Sequence, residues 1–261
     1  MEARELKARL KRREPVFGTW SHIPSVQVVE IIGASGLDFI VFDLEHGPHG
    51  FSDMPALYCA AEARGLVPVT RVPSAGNSNI LRCLDSGAKG IMVPHVGSAA
   101  EASQCLESMV YGATSRNRGV ATLTRSSMFD YQNERRHLDS QNDLITSVLM
   151  IEDRAGVEAL DDICRLPGLD VVFVGIYDLS QSLGLNGNLD DPKFLDVFER
   201  TVKRIAAHGV AVGCYAPTAQ AAARLLDLGI TFITLCVDGA MLRRSYQTML
   251  SDLATLRPLP S

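Results

Sequence analysis

The sequence predicts an α/β protein, a (β/α)8 TIM barrel, and three observations carry that prediction. Short apolar runs rich in Val, Ile and Phe alternate with amphipathic stretches about eight times along 261 residues, the pattern of parallel strands joined by helices. The runs are apolar throughout, as in strands covered on both faces. No GxGxxG follows an early strand, which disfavours an open doubly wound sheet with a dinucleotide site. Barrels of this length commonly form one domain, so 1–261 reads as a single barrel domain.

The elements follow in order. The opening MEARELKARLKRREP is charged throughout and reads as a short exposed helix. VFGTW (16–20) is the first strand, and 25–36 a helix with Ser25 as cap and Gly36 closing it. DFIVFDLE (38–45) is the second strand, followed by a helix over 51–65. VPVTRVP (67–73) and GIMVPHV (90–96) are strands three and four, with helices over 77–87 and 98–111. The polar, Arg-rich stretch 112–144 interrupts the rhythm as a lid-like insertion, helical near 130–138. Strands then recur at 145–153, 170–180 (the strand with its loop), 210–216 and 231–238, with helices at 155–166, 192–209, 217–229 and 239–257.

Composition narrows the function. A formal net charge of -5 gives no support to nucleic-acid binding, and no segment has the unbroken apolar length of a membrane span. The N-terminus lacks the apolar core of a signal peptide. Cysteines 59, 83, 105, 164, 214 and 236 form no CxxC pair and read as buried, reduced thiols of a cytoplasmic protein.

Catalytic groups in such barrels sit at the C-terminal ends of strands. Those positions hold Asp43, Glu45 and His46, then Arg71, His95, Glu152 and Asp153, Tyr177 and Asp178, and Asp238. Imine chemistry needs a lysine there, and none of the lysines ends a strand; Lys89 precedes strand four and faces the opposite end. The loops after strands seven and eight, YAPTAQ and VDGAML, have little of the glycine that phosphate sites use. A hard divalent cation takes oxygen ligands, often one or two carboxylates, and Glu152 and Asp178 end neighbouring strands. Arg71 would supply fixed positive charge to an enolate or carboxylate, and His46, oriented by Asp43, would move the proton. These groups point to metal-assisted carbon–carbon bond chemistry. His22, His49 and His95 have no assigned role, because a hard-ion site favours oxygen.

FDLEHGP (42–48), VTRVP (69–73), LDSGAKGIMVPHV (84–96), MIED (150–153) and VGIYDLS (174–180) occur in this order along nearly the whole chain. Together they resemble the HpcH/HpaI metal-dependent (class II) pyruvate aldolases, which include 4-hydroxy-2-oxoheptanedioate and 2-dehydro-3-deoxyglucarate aldolases. The resemblance implies a barrel of the phosphoenolpyruvate/pyruvate type that cleaves or forms 4-hydroxy-2-oxo acids from pyruvate and an aldehyde through an enolate. It implies Glu152 and Asp178 as ligands of Mg²⁺, Mn²⁺ or Co²⁺, Arg71 at the enolate oxygen and His46 as base with Asp43 as partner. It also implies that Asp85 reaches a neighbouring subunit's site and that the backbone of Gly175–Asp178 receives the substrate carboxylate. The implied assembly is a homohexamer, a trimer of dimers that exchange their last helix.

Two departures stand out. Met150 replaces the family's usual glutamine beside the 2-oxo acid, and GIYDLS replaces GPxDLS, placing Tyr177 before the metal aspartate. A thioether cannot make an amide's hydrogen bonds. An alternative is therefore a related enolate enzyme, an oxaloacetate decarboxylase or a condensing enzyme with another donor; a non-catalytic barrel ranks below both. Arg116, Arg118 and Arg125 of the insertion either bind an acidic aldehyde tail or solvate a lid.

Overall fold

The computed structural model describes residues 1–114, 117–129 and 134–256. Eight strands close into an all-parallel barrel in sequential order. They are β1 (Val16–Ser21), β2 (Phe39–Asp43), β3 (Val67–Arg71), β4 (Gly90–Val93), β5 (Thr146–Ile151), β6 (Val171–Val174), β7 (Ala211–Ala216) and β8 (Phe232–Val237). The helices are α1 (Ala3–Lys11), α2 (Val26–Ala34), α3 (Met54–Ala63), α4 (Asn77–Ser86), α5 (Ala99–Met109) and α6 (Glu134–Leu144). They continue with α7 (Arg154–Glu158), α8 (Leu160–Cys164), α9 (Ile176–Ser182), α10 (Pro192–Ala207), α11 (Ala219–Asp227) and α12 (Asp238–Leu256). Ser25 caps α2 as expected, accepting from the Val28 N–H.

The strand pleat divides the apolar residues into two cores. Ile40, Phe42, Ile91, Leu149, Val172 and Ile233 pack outward under the helices. Phe39, Val41, Val69, Val148, Met150, Phe173 and Phe232 fill the interior, where the Phe39 and Phe232 rings stack 4.1 Å apart. Gly18 makes that stack possible, since a Cβ there would lie 2.4 Å from the Phe39 ring.

Two expectations are corrected at the floor of the barrel and after β6. The N-terminal helix α1 is not simply exposed. Ala3, Leu6 and Leu10 lie on one face, are buried and join the interior core, while Lys7 bonds Asp170 at 2.8 Å and Arg9 bonds Asp38 at 3.1 Å. The helix plugs the floor with its apolar stripe, and Lys7 and Arg9 tie it to carboxylates of the barrel. The stretch after β6 is helix rather than loop, because Gly175 ends the strand and serves as the N-cap of α9.

Within the insertion, α6 covers 134–138 of the expected helix and continues to Leu144; residues 130–133, and with them the start of the expected helix, lie outside the described residues, as does Arg116. Arg118 is buried, bonds Asp85 at 2.7 Å and lies over the Tyr111 ring. Arg125 bonds Glu62 at 2.6 Å. Both arginines are thus engaged away from the barrel mouth, and no described residue of 112–144 lines the mouth cavity. Cys59 is exposed; the other five cysteines are buried and all six are free thiols. Every residue of α12 beyond Gly239 is exposed, including Leu242, Tyr246, Met249, Leu253 and Leu256.

Candidate active site at the barrel mouth

The pleat that places Phe39 and Val41 in the interior places Asp43, two residues on, at its top. The same alternation carries Val67 and Val69 up to Arg71, Val148 and Met150 up to Glu152, and Val171 and Phe173 up to Gly175. Of these, Arg71, Met150, Glu152, Phe173 and Gly175, with Trp20, His22, His46, Tyr177, Asp178 and Tyr215, line a mouth cavity of about 300 Å³.

Asp43 is completely buried. Adjacent strands pair it with Arg71, whose Nε and Nη2 donate to its two oxygens at 2.8 and 2.7 Å. The Glu45 and His46 main-chain N–H groups also donate to Oδ1, and His22 Nε2 lies 2.9 Å from Oδ2. Burial works against the charge, but the hydrogen bonds from His22 and Arg71 outweigh it and hold the carboxyl well below the usual carboxylate range. The expectation that Asp43 orients the His46 ring is corrected: Asp43 receives His46's backbone N–H, and the imidazole it holds is that of His22. The His46 ring is exposed and makes no hydrogen bond among the described residues.

Arg71 lies over the Trp20 ring, 4.6 Å from its centroid, and pairs through Nη1 with Glu45 at 3.1 Å. Its bidentate bond to Asp43 leaves N–H groups on both terminal nitrogens for a ligand. Glu45 continues the chain of charge to His95, whose Nε2 is 3.2 Å from Glu45 and whose Nδ1 is 3.3 Å from Glu152. His95 adopts a left-handed φ of 54°, and its N–H donates to Glu152 at 2.7 Å.

Glu152 is 2% exposed. Burial pushes its carboxyl up, the charges of Asp178 and Glu45 add to this, and His95 opposes it. The space it occupies exists because residue 175 is glycine: a Cβ there would lie 2.3 Å from Oε2. Asp178, in the first turn of α9, is exposed and makes no hydrogen bond or ion pair among the described residues. A buried carboxylate with an unfavourable charge, facing a free one across a glycine-made recess, is a donor set suited to a hard divalent cation. Among the described residues no three His, Cys, Asp or Glu are grouped to hold an ion, so these two carboxylates would leave most positions to water or substrate.

Met150 is buried beside this pair, and the exposed Tyr177 ring tilts against Tyr215 at 6.3 Å. Burial, with Cys236 alongside, pushes the Tyr215 hydroxyl up to about 12. The Gly175 N–H is spent on the Ile151 carbonyl at 3.1 Å, so the N–H groups left free at this turn belong to residues 176–178. Asp85 sits on α4, bound to Arg118, and does not line the cavity. Sequence reasoning left three groups without a role that the structure places in or beside the cavity: His22, His95 and Tyr215.

Comparison with known proteins agrees with this geometry. The profile of the HpcH/HpaI aldolase/citrate lyase family matches residues 17–245. The chain is 33% identical to the hydroxypyruvate/pyruvate aldolase of Paraburkholderia phytofirmans, over 95% of this chain and 96% of the relative. Its fold superposes with a TM-score of 0.91 on an HpcH/HpaI aldolase/citrate lyase family protein from Burkholderia cenocepacia, at 29% identity over 96% of this chain and 99% of the other. It also superposes with a TM-score of 0.84 on the citrate synthase SbnG, again at 29% identity over 96% and 97% of the two chains. With the barrel, the mouth carboxylates and these likenesses together, the chain belongs to the HpcH/HpaI aldolase/citrate lyase family.

Proposed function

We propose that this chain is a divalent-metal-dependent aldolase, an aldehyde-lyase that cleaves or forms 4-hydroxy-2-oxo acids, with pyruvate and an aldehyde as the partners. The observation that carries this reading is the pairing of Glu152 and Asp178 on one wall of the cavity with the Asp43-held Arg71 on the wall around Trp20. Glu152 and Asp178 would hold Mg²⁺, Mn²⁺ or Co²⁺, which supplies Lewis-acid polarisation of a 2-oxo acid's carbonyl. Arg71, fixed by two bonds, offers its remaining N–H groups to the oxygen that gains charge as the enolate forms. The backbone N–H groups at the start of α9 receive the substrate carboxylate. His46, exposed at the mouth, exchanges a proton with solvent, and Asp85 from a neighbouring copy reaches towards the site.

Met150 and Tyr177 favour a second reading on the same enolate, in which oxaloacetate or another 2-oxo acid is the donor. An assembly of several copies, a hexamer of helix-exchanged dimers, fits α12, whose exposed Leu242, Tyr246, Met249, Leu253 and Leu256 follow a four–three spacing along one stripe. No helix among the described residues is long and apolar enough to cross a membrane, and a cytoplasmic location is part of this proposal.

The test is exchange of the pyruvate methyl protons for deuterium, followed by NMR. Metal-stripped protein is expected to be inert and to recover on adding Mg²⁺ or Mn²⁺. Exchange that survives complete chelation, or that no ion restores, refutes the assignment.

A further inference from the structure

Cleavage of a 4-hydroxy-2-oxo acid moves two protons, one off the C4 hydroxyl and one onto C3. His46, exposed and without a side-chain partner, accounts for one of them. A second imidazole lines the same cavity. His22 lies in the loop after β1, with Nε2 2.9 Å from the wholly buried Asp43. Every other group bonded to Asp43 is a donor, namely Arg71 and the N–H groups of Glu45 and His46. The carboxylate therefore acts only as an acceptor, and the hydrogen of the His22–Asp43 bond sits on Nε2. That fixes the tautomer: the neutral ring carries its lone pair on Nδ1, which makes no hydrogen bond among the described residues.

The loop is built to hold the ring there. The His22 main-chain N–H lies 3.1 and 3.0 Å from the two oxygens of the buried Asp238, and the Ile23 N–H donates to it at 2.9 Å. A carboxylate-oriented imidazole with its second nitrogen free at a cavity wall is the arrangement of a general base.

We propose that His22, oriented by Asp43, is a further catalytic residue, the base that takes the C4 hydroxyl proton in cleavage and returns it to the aldehyde oxygen in synthesis. This inference rests on the aldolase reading above. The hydroxyl proton passes to Nδ1, and the O–H electron pair becomes the second bond of the aldehyde carbonyl as C3–C4 breaks. The C3–C4 pair becomes the C2–C3 double bond of the enolate, whose charge falls on the C2 oxygen beside Arg71. The enolate then takes a proton at C3 by way of His46, and the imidazolium of His22 returns its proton to solvent. No redox partner is needed.

The test compares two reactions that make the same enolate. Cleavage of 4-hydroxy-2-oxobutanoate, or of the longer homologue the wild type turns over fastest, needs the hydroxyl proton moved; decarboxylation of oxaloacetate does not. In His22→Gln the amide still donates to Asp43 but accepts no proton. Cleavage is expected to fall roughly 10²- to 10⁴-fold, while decarboxylation and pyruvate C3 exchange lose less than about threefold, on the order of 0.6 kcal/mol. Equal loss of all three, as a purely structural role for His22 requires, overturns the proposal, and so does cleavage that survives. If His22→Gln lowers thermal stability, His22→Ala is assayed with and without added imidazole. Cleavage rescued by imidazole supports the role; cleavage and decarboxylation lost in parallel overturn it. A wild type that neither exchanges nor cleaves overturns the aldolase reading itself, a result distinct from an active wild type whose variant loses both activities together.

Discussion

Replacing Asp43 by Asn tests the centre of the site most directly. The change keeps the side chain's shape but removes the charge facing Arg71. The amide has one acceptor oxygen in place of two, so its NH₂ is set against an N–H of Arg71 or of His22. Removing one partner of a buried ion pair costs about 3–5 kcal/mol. The low end applies here because Glu45 remains 3.1 Å from the guanidinium. A loss of about 3 kcal/mol lowers Tm by roughly 6–12 °C in a chain of this size, read by thermal unfolding at fixed protein concentration. The pH dependence carries a sign. The folded carboxyl lies below its unfolded value, so its stabilisation is complete above the unfolded value of about 3.9 and is lost as pH falls towards the folded value. The difference between wild type and Asp43→Asn should therefore be constant from pH 7 to pH 5 and narrow below about pH 4. A variant within about 1 kcal/mol of wild type at pH 7, or a gap that widens in acid, refutes the claim that this buried charge holds Arg71.

Three further outcomes follow from the geometry. Gly175→Ala puts a methyl 2.3 Å from Glu152 Oε2, so Mn²⁺ affinity measured by calorimetry should drop at least roughly tenfold, about 1.4 kcal/mol, with the fold retained by circular dichroism. Leu6→Ala opens a cavity in the barrel floor and should cost about 2–5 kcal/mol in urea unfolding without changing KM. Tyr246→Glu places a charge on the exposed stripe of α12 and should shift the mass measured by light scattering towards the monomer; an unchanged mass removes α12 from the interface.

The strands and most of the mouth residues were legible in the sequence because a pleat of period two is a local rule. Once DFIVFD is a strand with Phe39 inside, Asp43 is inside as well. What the pleat does not carry is register. Asp43 stands beside Arg71 because β2 and β3 pair them, and no feature of either segment alone says so. His22 has no assigned role in the sequence because it sits in a loop whose course is set by Asp238, 216 residues away. His95 stands at its strand end without a role because its ring reaches Glu45 and Glu152 from a left-handed backbone that the motif VPHV does not signal. The burial of α1 was the more recoverable miss. Residues 3, 6 and 10 form an apolar stripe at helical spacing, and the charges between them masked it.

The two sides of the cavity are built to different tolerances. On one side β5 and β6 pair without a slip from Val148 and Val171 to Ile151 and Val174, and Glu152 stands on that regular frame. On the other, β1 and β8 slip register between Gly18 and Trp20, Cys236 takes a left-handed turn, and the first and last strands are stitched at the mouth by Asp238. Bulged seams of this kind re-aim side chains, and this one carries Trp20 and His22. The barrel thus works like a vice with one fixed jaw and one adjustable jaw. Resetting the closure changes what is gripped and leaves the carboxylate wall in place, so libraries that seek new acceptors belong along this seam, with Gly18, His22 and Asp238 kept.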